Sequence, residues 1–212
     1  MTKLFGPTHY TEEDLANEGF KSLGSNVRIA KTCTIVGAEN ISIGDNVRID
    51  GYCTLVAAGC GFIHFGSYIH VGGHCVLLAG EGITFEDFSC LSWGVKLFSR
   101  SDDFSGQFMT NPTVPSKYTG VTGGPIVLKR HVVVGAGSVV LPKVTLEEGV
   151  AVGALSLVTK SLAEWGIYSG IPAKHIKNRK KQLLELESVF LEESSLNRRT
   201  KNNNTLPSPK KV

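Results

Sequence analysis

The feature that most restricts this chain is a six-residue period. From Leu23 onward Val, Ile, Leu or Phe recurs at every sixth position, in six triplets. They are Leu23, Ile29, Ile35; Ile43, Ile49, Leu55; Phe65, Val71, Leu77; Phe85, Leu91, Leu97; Leu128, Val134, Val140; and Leu146, Val152, Val158. Inside a triplet the spacing never varies. Between triplets the extra residues number two, four, two, twenty-five and none, so every insertion falls at the same one of three corners. Neither an amphipathic helix nor an ordinary alternating strand has that arithmetic. It belongs to a three-sided column with eighteen residues per coil, in which each repeat buries its apolar face against the next. The residue two places before each slot shares its face and is mostly small or branched, as at Val27, Cys33, Cys53, Cys75, Ser138 and Ser156. The predicted class is therefore all-β, a parallel β-helix of about six coils, about 29 Å long at ~4.8 Å per coil.

Composition narrows the function. A net charge of +3 over 212 residues gives no basic field of the kind nucleic-acid binders carry. No apolar run approaches the length of a membrane span, and Met1–Pro7 lacks an apolar signal core. The five Cys form no Cys-x-x-Cys pair, and Cys33, Cys53 and Cys75 read as small buried side chains. A cytoplasmic protein without metal is expected. Thr11 before Glu12, Glu13 and Asp14 predicts an N-capped helix over 11–18 within a lead-in of residues 1–22. The β-helix domain spans 23–176, with an extended corner loop over 103–127. A partly amphipathic helix follows over 177–198, and 199–212 is a polar tail with the composition of a disordered segment.

Repeats such as Val134-Gly135-Ala136-Gly137-Ser138-Val139 and Val152-Gly153-Ala154-Leu155-Ser156-Leu157 resemble the hexapeptide motif of left-handed β-helix acyltransferases. The galactoside, maltose and xenobiotic acetyltransferase branch is the nearest likeness, through Ser156–Lys160 and the closing Gly170-Ile171-Pro172-Ala173-Lys174. The stretch Phe98–Gly106 resembles sugar acetyltransferases of surface-polysaccharide (lipopolysaccharide) biosynthesis. The resemblance implies the left hand of the helix and a homotrimer that binds acetyl-CoA in a groove between prisms. It implies backbone contacts to the cofactor at Ala136 and Ala154, a Thr-Lys contact with it at Thr159 and Lys160, and Lys174 and Lys177 facing its phosphates. Small outer residues at Gly135, Ala136, Gly153 and Ala154 agree with a bare wall beside that arm.

In the same branch the general base is a His on the long-loop corner. Here that position is Asp102, and an ordinary carboxylate is a weak base at neutral pH. Three solutions stand. His70, in coil three, can serve as base if the hexapeptide starting at Phe65 puts it at a corner facing Asp102 and Asp103 of a neighbour. Asp102 or Asp103 can act directly or accept hydrogen bonds from a sugar. Or the acceptor is an amine, which attacks when neutral and needs less help. His74, Trp93 and Arg100 complete the expected acceptor contacts. The loop is too long for a passive connection, and its Phe104, Phe108 and Tyr118 suit either a sugar ring or a neighbouring subunit.

The expected function is acetyl transfer from acetyl-CoA to a hydroxyl or amino group of a sugar or nucleotide-sugar. A zinc enzyme resembling the γ-class carbonic anhydrases would need three converging His, and His64, His70 and His74 match no pair of that family's ligands. A non-catalytic β-helix scaffold is the remaining alternative. Which sugar, and whether nitrogen or oxygen is acylated, are not written in these residues.

Overall fold

A computed structural model describes residues 8–203, with side chains to residue 195. Parallel strands of two or three residues stack into three faces. The first face begins at Ser22–Leu23, the second at Arg28–Ile29 and the third at Thr34–Val36. The register follows the period. Leu23, Ile43, Phe65, Phe85, Leu128 and Leu146 pair in one unbroken column. The second column runs Ile29, Ile49, Val71, Leu91, Val134, Val152, and the third Ile35, Leu55, Leu77, Leu97, Val140, Val158. All are buried except Leu23 and Ile35, which are half-covered at the open first coil. This is a parallel β-helix, consistent with the left-handed form.

The inner ring behaves as its residue types dictate. Cys53 and Cys75 are buried and their thiols donate to the carbonyls of Gly72 and Ser92, at 3.1 and 3.2 Å. Ser138 and Ser156 donate to the carbonyl of Gly153 and accept from Ser156 N and Gly170 N. Among the described residues each buried side-chain nitrogen or oxygen is paired, as the low dielectric of a core demands. Phe65 and Phe85 stack at 4.8 Å inside the first face.

The stack continues past six coils. Leu162 bridges to Leu146, and Tyr168 pairs with Val152 in a strand over Gly166–Ser169. Both are buried, so a seventh, incomplete turn closes the column. The step into it is 16 residues in place of eighteen, which hides it from a strict period. The antiparallel strand Lys174–Asn178 then seals the second face. At the other end Thr11 caps the helix Glu12–Asn17 in a reciprocal box with Asp14, and Leu15 joins the core. The chain divides into two compact units, Met1–Arg179 and Lys180–Val212. The helix Leu183–Asn203 belongs to the second, so residues 177 and 178 are strand rather than helix. The tail beyond residue 203 lies outside the described residues.

Candidate active site

The long loop leaves the corner between the third and first faces on a two-residue antiparallel stem, Arg100–Ser101 against Thr122–Gly123. Asp102 follows the stem directly. It is exposed, its carboxylate has no partner among the described residues, and it borders an open concavity of about 440 Å³ lined also by Asn111, Thr113, Val114 and Val121. Asp103 differs. Its carboxylate accepts from Ser105 Oγ at 2.7 Å, Gly106 N at 2.9 Å and Phe108 N at 3.3 Å. Those bonds, Ser105's first, hold its carboxyl below the usual range. Asp103 shapes the loop. Arg100 is likewise engaged: its guanidinium lies 2.8 Å from Glu81 of the preceding coil and 3.3 Å from Cys60 Sγ.

His70 points outward, as the period requires, but from the second face rather than a corner. It stands in register between Arg48 and Cys90. The hexapeptide position suggests a corner, but His70 directly precedes the buried slot residue Val71 and so shares its strand on the second face. Its orienting carboxylate is Asp50 of the same chain, with Nε2 to Oδ2 at 2.8 Å. Arg48 holds that carboxylate through two bonds, at 2.8 and 3.0 Å. The Arg48 guanidinium, with His70 beside it, brings Asp50 down to about 2. Arg48 and Asp50 are the site residues that sequence reasoning missed. Both flank Ile49 two positions apart, and stacking coil two on coil three places them beside His70.

His74 sits at a different corner, between the second and third faces, stacked on Tyr52 at 5.0 Å and tilted against Trp93 at 5.7 Å. Trp93 is 59% exposed. His64 lies on the first face, paired in register with Ser42 and Thr84. The three His of coil three therefore diverge, and among the described residues no cluster of three metal-ligating side chains forms. Asp102 and His70 lie on different sides of the prism.

Ala136 and Ala154 occupy consecutive coils of the Trp93 corner and are exposed. Ala136 accepts from Leu155 N at 2.8 Å, but the N–H groups of Ala136 and Ala154 have no partner among the described residues. The flanking glycines have a packing origin. A Cβ on Gly135 would fall 2.5 Å from Ala154 N, and one on Gly153 would fall 2.8 Å from Ser169 Oγ. Thr159, Lys160, Lys174 and Lys177 are exposed at the C-terminal end of the column.

No family model matches the chain. Individual proteins do. The dTDP-4-amino-4,6-dideoxy-D-glucose acyltransferase of Escherichia coli is 44% identical over 179 residues, covering 84% of this chain and 93% of that protein. The chain belongs to the hexapeptide-repeat acetyltransferase family. A solved member, an aspartate-to-asparagine variant of the N-acyltransferase AntD from Bacillus cereus in complex with dTDP and coenzyme A, is 42% identical with a TM-score of 0.85, over 88% of this chain and 99% of that one. AntD has also been solved with dTDP-4-amino-4,6-dideoxyglucose and with 3-hydroxybutyryl-CoA, and in forms with one aspartate or one serine replaced. A maltose O-acetyltransferase from Clostridium difficile 630, 19% identical with a TM-score of 0.53 over 80% of this chain and 75% of that one, shares the fold. As a member of this family the chain is a sugar acyltransferase with acyl-CoA as co-substrate. Among the described residues no helix is long and apolar enough to cross a membrane.

Proposed function

We propose that this protein N-acylates a nucleotide-linked amino sugar, of the dTDP-4-amino-4,6-dideoxyhexose type, with acetyl-CoA or a short acyl homologue as donor. The observation that carries this reading is the unpartnered carboxylate of Asp102 where an O-acetyltransferase of this family has a His. The kinship to dTDP-amino-sugar acyltransferases supports it.

The chemistry fits an amine. A neutral amine attacks the thioester carbonyl without prior deprotonation. The carbon–nitrogen bond forms, the carbon–sulfur bond breaks, and one nitrogen-bound proton leaves. A carboxylate at the amine accepts that hydrogen bond, orients the lone pair and helps the proton depart, and the thiolate is reprotonated from solvent. Asp102 has this role. The donor lies along the Trp93 corner, with its amide arm on the free N–H groups of Ala136 and Ala154. Thr159, Lys160, Lys174 and Lys177 face its phosphates. Because the Asp102 corner and the Trp93 corner are opposite ends of the third face, one site takes Asp102 from one copy and the wall from another. This is a homotrimer with three such grooves, and the loop's exposed Phe104, Phe108 and Tyr118 contact the neighbour or its sugar. A cytoplasmic location goes with an acyl-CoA donor and a nucleotide-sugar acceptor.

A second reading, O-acylation, has one observation in its favour. The Asp50–His70 pair at 2.8 Å is the arrangement that activates a hydroxyl. Thiol release from acetyl-CoA with amino and hydroxy forms of the same sugar nucleotide separates the two. N-acylation predicts turnover of the amino form, a loss of about a hundredfold or more in kcat for Asp102→Asn, and a near-normal rate for His70→Ala. Turnover of the hydroxy form that depends on His70 overturns it.

A further inference from the structure

At the Trp93 corner coils two to six each present the same residue position in a left-handed backbone conformation. The equivalence is set by a ladder of backbone bonds: His74 N to Gly51 O, Gly94 N to Gly73 O, Gly137 N to Trp93 O, Leu155 N to Ala136 O. Coils two, three and six carry Tyr52, His74 and Leu155 there, with φ of 62, 60 and 55°, while coils four and five carry Gly94 and Gly137 at 70°. The conformation itself therefore does not demand glycine in this chain. Packing does not demand it at Gly94 either, where an added Cβ would meet nothing nearer than Gly137 N at 3.9 Å. The ridge of side chains is interrupted at Gly94 and Gly137, and the side chain of Leu155 reaches over the second of these, so the open stretch is centred on Gly94.

One end of this gap is a built wall. The indole of Trp93 turns back over Gly73, where a Cβ would fall 3.1 Å from Cζ3 and 3.2 Å from Cη2. The ring is thus seated on the preceding coil, braced by His74, which is itself stacked on Tyr52. The other end is Leu155, whose Cδ2 lies 2.8 Å from a Cβ placed on Gly137. Between them lies the backbone of Ala136. Resting on the donor placement proposed above, the direction of the donor follows. Its phosphates are at the Lys160 and Lys174 end, its arm crosses Ala154 and then Ala136, and its thioester end arrives beyond Leu155 at Gly94, facing the indole.

We propose that Trp93 is the end wall of the acyl pocket and a specificity-determining residue that limits the length of acyl group the enzyme transfers, with Gly94 leaving the space that the acyl group fills. A flat aromatic wall excludes water from the thioester and stops a chain that outgrows the gap. Because the residue is exposed, removing it opens no core.

The test uses the full chain and stable thioether analogues: free coenzyme A, S-ethyl-CoA, S-butyl-CoA and S-hexyl-CoA, with affinities read by calorimetry. The wild type is expected to prefer the shorter alkyl groups. Trp93→Ala raises the ratio of S-hexyl to S-ethyl affinity about tenfold, in the range a hydrophobic pocket discriminates, and the same variant gains turnover with hexanoyl-CoA relative to acetyl-CoA. Gly94→Leu, which copies what coil six carries at this position, lowers S-butyl and S-hexyl affinity relative to free coenzyme A. Coenzyme A binding with a chain-length profile unchanged in both variants overturns the pocket assignment alone. Failure of the wild type to bind coenzyme A overturns the donor placement on which the assignment rests.

Discussion

Asp50 shows how one outward carboxylate organises its surroundings. Arg48 and His70 approach it from its own coil and the next, and its side chain is only 14% exposed. Its carboxyl lies at about 2 against an ordinary 3.8, so the folded state favours the ionised form. The resulting stabilisation is complete above about pH 4 and is lost as pH falls from there toward 2, where Asp50 protonates in the folded protein too. Half-exposed partners screen it, leaving about 1–2 kcal/mol. Asp50→Asn should thus lower the urea midpoint at pH 7, and the difference from wild type should shrink at pH 2–3. An unchanged midpoint at pH 7 would show that the ion pair contributes nothing. Asp103 gives a contrasting expectation. Asp103→Ala removes three bonds that shape the loop, so it should raise KM for the acceptor more than Asp102→Asn does, while Asp102→Asn acts mainly on kcat.

At the scale of the coil, stability rests on columns of identical register. Leu91 is fully buried between Val71 and Val134, so Leu91→Ala should cost about 2–5 kcal/mol of unfolding free energy. The half-covered Ile35 of the first coil should cost distinctly less on the same change. Equal losses at both sites, measured by denaturant titration, would contradict a core that is open at its first coil. The columns were legible in the sequence because a single six-residue period fixes both the coil and the inward face. What the period did not carry was the side of the prism. His70 looks like a corner residue from its place at the end of a hexapeptide, and only the face to which Val71 belongs puts it on a strand. Asp50 was missed because its partner lies 20 residues away, across an insertion that only the stacked register removes. Arg100 and Asp103 looked available from residue type alone, and are occupied by Glu81 and by the loop's own backbone. The seventh turn escaped because its step is two residues short.

The whole molecule carries the remaining expectation, that one prism holds half of each site. Asp102 and Trp93 stand at opposite ends of the third face, and the apolar side chains of the loop are exposed in the single chain. Sedimentation equilibrium should report three chains per particle, and a monomer retaining full activity would contradict a shared groove. Most direct of all is the bond that the enzyme makes. With acetyl-CoA and an equimolar mixture of dTDP-4-amino-4,6-dideoxyglucose and the matching 4-hydroxy sugar nucleotide, mass spectrometry of the products should find acetyl on the amino sugar alone, as a base-stable amide. An ester on the hydroxy sugar as the main product, or no acylated nucleotide sugar with acetyl-CoA or a short acyl homologue, would contradict it.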